Sequence, residues 1–180
     1  MADIPRIISV DDHVVEPPDL WTSRLPAKYH DRCPRVERDS AVFNFEGGEF
    51  TYQKGVPGGA ECDWWLYDDL VYPFPKLSAA SGFETLDVEP VTFDQIRPGG
   101  WKQADRLADM TANHVDASLC FPNVLPRFCG QTFLEREDKE LALLCVQAYN
   151  NWMIDEWCAG DARGRLIPLK IGRASCRERV

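Results

Sequence analysis

The chain has 180 residues, 44% of them hydrophobic and 27% charged, and a net charge of −9. That length allows one domain with a sizeable core, and the composition is that of an ordinary globular protein. The acidic balance argues against a nucleic-acid partner, which needs clustered Lys and Arg. No apolar run approaches the roughly 20 residues that span a bilayer, and the first residues lack a signal peptide's basic start and apolar core, so the chain reads as cytoplasmic without a membrane partner.

In chain order, Ile7-Ile8-Ser9-Val10 runs directly into Asp11-Asp12-His13 and then into Val14-Val15-Glu16-Pro17-Pro18. The β-branched residues predict a short buried strand over residues 6–13, stopped by the proline pair. Side chains alternate along a strand, so Asp11 and His13 are expected on one face and Asp12 on the other. A carboxylate and an imidazole at a strand's C-terminal end make half of a metal site, because a catalytic metal takes three or more protein ligands. Spacing alone leaves a second reading open, a hydrogen-bonded strand end with no metal.

Residues 14–100 show no sustained helical period and are broken by many prolines and by Gly47-Gly48, Gly58-Gly59 and Gly99-Gly100. Ala41–Phe45 and Glu49–Tyr52 flank Glu46-Gly47-Gly48, which predicts a β-hairpin, and Trp64, Trp65, Tyr67, Tyr72 and Phe74 follow. An insert of this length is expected to act as a lid or a substrate wall. Regular alternation then begins. A helix is predicted over 101–113 with Ala104, Leu107, Ala108 and Thr111 on its apolar stripe, and a strand over 115–121 ends at Pro122-Asn123. A long helix is predicted over 135–159, with Leu141, Leu144, Cys145, Ala148 and Trp152 on one stripe, and a third strand over 165–169. Strand, helix, strand, helix, strand implies βαβ units and a parallel sheet.

Seven cysteines without a Cys-x-x-Cys pair read as buried or free thiols. Residues 171–180 break the pattern. They carry Arg173, Arg177 and Arg179, have no amphipathic period, and match codon for codon the translation of a common short-read sequencing adapter. They are expected to be a non-native tail, which leaves residues 1–170 for fold reasoning.

The stretch from Ser9 to Trp21, with its Asp11-x-His13 and Glu16-Pro17-Pro18, resembles the start of amidohydrolase-related proteins. This branch of the amidohydrolase superfamily includes aminocarboxymuconate-semialdehyde decarboxylase and related aromatic acid decarboxylases. Residues 106–110 and 115–122 resemble that family's first helix and second strand. The long helix and Gly164-Arg165-Leu166-Ile167-Pro168-Leu169 resemble its second helix and third strand. The resemblance implies an α/β fold, a partial (β/α)8 TIM barrel of about three strands with its long insert over 14–100 and its site at the C-terminal strand ends. The family's first strand usually ends His-x-His. Here Asp11 takes the first slot and His13 the second, a hard oxygen donor beside an imidazole that suits zinc or manganese.

The family's remaining ligands, two histidines and an aspartate on later strands, have no counterpart in this chain. The resemblance therefore implies the N-terminal part of a metal-dependent hydrolase or carboxy-lyase acting on a small-molecule substrate, with a parent compatible with a homo-oligomer. The chain alone is expected to be inactive and poorly folded. Glu16 and Trp21 in the first loop and Asn123 beyond the second strand are candidate pocket residues, with packing the alternative for Trp21 and turn capping for Asn123. His30 falls in the insert, and His114 is read as a helix-end residue where the family pattern often has glycine. A metallophosphoesterase also begins Asp-x-His, but its Gly-Asp and Gly-Asn-His are missing. A non-catalytic binding module built on the aromatic insert is the rival of a different class.

Overall fold

The β-branched start of the chain forms a strand, and that strand organises the first of two sheets. The computed structural model describes residues 5–161 and 163–172. Among them the elements are β1 (Ile7–Val14), β2 (Arg35–Glu46), β3 (Glu49–Lys54), β4 (Ala60–Tyr67), β5 (Leu70–Pro73), α1 (Gln103–Ala112), β6 (Val115–Pro122), α2 (Gln131–Glu135), α3 (Lys139–Trp152) and β7 (Leu166–Ile167). One sheet is parallel in the order β1-β6-β7, and the other is antiparallel in the order β3-β2-β4-β5. The chain is therefore mixed α/β, with α1 linking β1's partner to the insert and α3 lying between β6 and β7 in sequence.

β1 was expected to be buried, and it is not: Ile8 is 61% and Val10 65% exposed. Among the described residues its strand neighbour is β6, and none of them covers Ile8 and Val10 on one face of the pair. The other face is the core. Val14, Cys120 and Leu166 meet Met110 of α1, Cys145, Tyr149 and Trp152 of α3, and Trp157 just beyond. Ser9 pairs with Ser118 but Asp12 with Cys120, so β1 carries an extra residue before Asp12. Such a bulge re-aims the side chains that follow it.

The insert is mostly sheet rather than loop. The predicted hairpin is present, with Glu46 opposite Glu49 and the intervening Gly47 and Gly48 at φ of 60° and 84°, the conformation a two-residue turn of this kind requires at both positions. β4 escaped detection because its central residues, Cys62 to Trp65, are buried on both faces and so do not alternate. Trp65 meets Trp21 edge-on in the main core, while Trp64 packs with Phe43 and Tyr52 in a smaller one.

Three helix expectations need correction. α1 does not bury Ala104, Ala108 and Thr111; the inward stripe is Gln103, Arg106, Leu107 and Met110. Gln103 bonds the carbonyls of Glu156 and Trp157, and Arg106 reaches the end of β1, which together turn the helix away from its alanines. The long helix begins at Lys139 rather than 135, because Asp138 takes the N-cap and accepts from Leu141 N at 3.0 Å. It then loosens into a π-helical turn over Met153–Cys158. β7 is two residues long against a predicted five. Of the predicted tail, Ile171 is buried at 3% exposure and exchanges two hydrogen bonds with the Asn150 side chain, and residues 173–180 lie outside the described residues.

Candidate functional site at the end of the first strand

Asp11, Asp12 and His13 line a groove of about 550 Å³ at the free edge of β1, shared with Arg97 and Arg106. Asp12 turns toward the helices. It accepts from the Ser118 hydroxyl and lies 3.8 Å from the Arg106 guanidinium. His13 turns the other way, its ring 5.9 Å from that of Phe121, its register partner on β6. Asp11 is exposed. The expected split between Asp12 and His13 is thus present.

His13 Nδ1 lies 3.2 Å from the carbonyl oxygen of Pro122. A carbonyl can only accept, so this contact puts a proton on Nδ1, and in the neutral ring the lone pair is then on Nε2. Metal-binding histidines are commonly oriented in this way, by a carbonyl that fixes tautomer and ring angle. Arg106 secures the same turn of backbone, donating to His13 O at 2.7 Å and to Gly99 O at 2.6 Å. Sequence reading missed Arg106. The available signal was its place with Gln103, Leu107 and Met110 at three- and four-residue spacing.

Glu16 and Asn123 join the two strand ends from inside. Glu16 is fully buried, and its two carboxylate oxygens accept from Asn123 N at 2.8 Å and Val124 N at 3.2 Å. Burial pushes its pKa from the ordinary 4.5 up to about 7, against the pull of the backbone N–H groups of Asn123, Val124 and Leu125. It clamps the loops after β1 and β6 together and presents no surface to a groove. Trp21 is equally buried, with its indole N–H on Cys145 O at 3.0 Å and its ring against Trp65 and Phe133, so it belongs to the core. The Asn123 side chain donates to Ser78 O at 2.6 Å, a cap on the turn, while also bordering a second cavity.

The other histidines take no part in the groove's β1 end. His30 has Nε2 3.0 Å from Leu25 O, and His114 holds a φ of 58°, which explains why a glycine would suit that helix end. Tested as a metal site, Asp11 and His13 fit in kind but not in number. A free imidazole nitrogen and an exposed carboxylate are suitable donors for zinc or manganese. Among the described residues, however, no three His, Cys, Asp or Glu side chains come together to hold an ion.

No protein-family model matches the chain, and no curated protein matches it. Its fold is similar to the crystal structure of an amidohydrolase from Mycobacterium avium subsp. paratuberculosis, with a TM-score of 0.55 and 20% sequence identity. The two share a fold. The match covers 94% of this chain and 42% of the other, so the chain spans less than half the length of that structure. No helix among the described residues is long and apolar enough to cross a membrane.

Proposed function

We propose that the chain is the opening part of an amidohydrolase-type, metal-dependent enzyme, with β1 and β6 as the first two strands of a (β/α)8 barrel. Asp11 and His13 would supply the first two ligands to a zinc or manganese ion, joined by donors from outside the described residues. The observation that carries this reading is the Nδ1 contact of His13 with Pro122 O at the C-terminal end of a parallel strand, which leaves Nε2 as the nitrogen for a metal. The likeness to a solved amidohydrolase supports hydrolysis as the reaction class. Decarboxylation of an aromatic acid is the second reading, on the resemblance of Ser9 to Trp21 to a branch that includes aromatic acid decarboxylases.

A bound metal would supply Lewis acidity toward a substrate oxygen or water. This chain's own residues hold the site's geometry. Arg106 and Pro122 O fix the backbone and ring of His13, and Ser118 with Arg106 holds the Asp12 carboxylate. None of the described residues is placed as the general acid or base. Calorimetric titration of the chain with zinc tests the reading. With two of the ligands among the described residues, one equivalent is expected to bind weakly, and at least tenfold more weakly still in His13→Ala and in Asp11→Asn. Equal affinity in all three proteins would overturn it.

A further inference from the structure

Past the strand ends, a second cavity of about 480 Å³ opens between the antiparallel sheet and the loop that follows β6. Leu70 and Leu125 give it an apolar wall, and Tyr72, Arg127, Thr132 and Arg136 give it a polar one. Its size and its mix of an apolar surface with a few convergent polar groups are those of a small-molecule site. Two guanidinium groups face one carboxylate in the lining, that of Glu135. Arg136 is paired with Asp69 at 2.5 Å. Among the described residues Arg127 pairs with Glu135 alone, at 3.9 Å, and its side chain is 58% exposed, so its donors are available to a ligand.

Two further features mark the cavity as built rather than incidental. The Nε of Arg136, in the cavity lining, is buried and makes no hydrogen bond among the described residues. A buried donor without a partner is costly unless something else satisfies it. The loop is also strained where it delivers Arg127: φ is 55° and ψ −170° there, and φ is 53° at Cys129, conformations that side-chain-bearing residues adopt only when their surroundings impose them. The Arg127 charge pulls down on the Tyr72 phenol against the upward push of burial, which puts the two groups within electrostatic reach of one another.

We propose that this cavity binds a small organic carboxylate, its carboxyl on Arg127 with the Tyr72 and Thr132 hydroxyls donating to it, and its apolar body on Leu70 and Leu125. Guanidinium and hydroxyl donors suit a planar carboxylate, and the leucine wall selects against a bare inorganic anion. The cavity adjoins the candidate metal ligands through two consecutive residues, since Pro122 O holds His13 and Asn123 borders the cavity. Its use as the pocket for a substrate's acidic end rests on the hydrolase reading, whereas the binding itself does not.

The test is calorimetric titration of the 180-residue chain, in EDTA, with benzoate and with its neutral counterpart benzamide. Benzoate is expected to bind one equivalent and benzamide at least tenfold more weakly. Arg127→Gln should weaken benzoate at least tenfold and Thr132→Val about threefold, each at unchanged near-ultraviolet circular dichroism. Asp11→Asn and His13→Ala should leave benzoate binding intact, so zinc titration of those variants reports on the metal reading and benzoate titration on this one. Equal binding of benzoate and benzamide would overturn the proposal. So would benzoate affinity unmoved by both Arg127→Gln and Thr132→Val, or no saturable binding to a chain that melts cooperatively.

Discussion

At Glu16 the folded chain prefers a protonated carboxyl, because the desolvation of a fully buried group outweighs its backbone hydrogen bonds. The folded state therefore holds more protons than the unfolded state between pH 4.5 and about 7, and stability falls as pH rises through that window. The Glu16 contribution is complete below 4.5 and lost above about 7, a difference of about 3 kcal/mol. Urea melts at pH 5 and pH 8 should show this slope in the wild-type chain and a much shallower one in Glu16→Gln; parallel slopes would contradict it. In the sequence Glu16 reads as a pocket wall, since its neighbours Pro17 and Pro18 announce a loop. That the loop folds inward to meet Asn123 and Val124 depends on residues more than a hundred positions away, which no local pattern records. The Asp12 and His13 split was legible because alternation along a strand is local. The bulge before Asp12 was not, because it exists only in the pairing with β6.

At the scale of elements, periodicity served where one face is wet and misled where both or neither are. The stripe of α3 is legible because Leu141, Cys145, Ala148 and Trp152 are buried while their opposite face is not. Its start was misplaced since acidic residues at 135, 137 and 138 all suit a first turn, and only the Asp138 contact with Leu141 N selects among them. Asp138 also lies 3.0 Å from the Arg32 guanidinium. Asp138→Ala should cost about 1 kcal/mol, read as a lower denaturation midpoint. In the insert, Asp63 is nearly buried, takes Arg38 through two hydrogen bonds at 2.9 and 3.0 Å, and accepts from Phe93 N at 2.7 Å. Asp63→Ala strands the Phe93 N–H, while Arg38 keeps Asp94 at 2.7 Å, and should cost about 2 kcal/mol, with loss of protease resistance in residues 60–95 as the local readout. An unchanged digestion pattern would show that β4 is held by its tryptophans alone.

For the whole molecule, the uncovered face of β1 is the feature that most departs from the expected buried strand. Ile8 and Val10 stand exposed on a parallel strand with a free edge, an arrangement that favours association. Val10→Lys should lower dye binding and self-association while changing stability by no more than about 0.5 kcal/mol, because the side chain is already largely in water. Unaltered self-association would place the sticky surface elsewhere. The α/β class and the parallel pairing of β1 with β6 were readable from alternating strand and helix patterns. The second sheet was not, because strands buried on both faces carry no period-two signature.

At the end of β1, His13 stands as the proposed metal ligand. The most direct test is two-dimensional nitrogen–proton NMR of the imidazoles in the metal-free chain at pH 8, followed by titration with zinc. The His13 proton is expected on Nδ1, zinc should shift the His13 Nε2 resonance selectively over those of His30 and His114, and Asp11→Asn should weaken the effect. A proton on Nε2 of His13, or a zinc response spread equally over the three histidines, would contradict it.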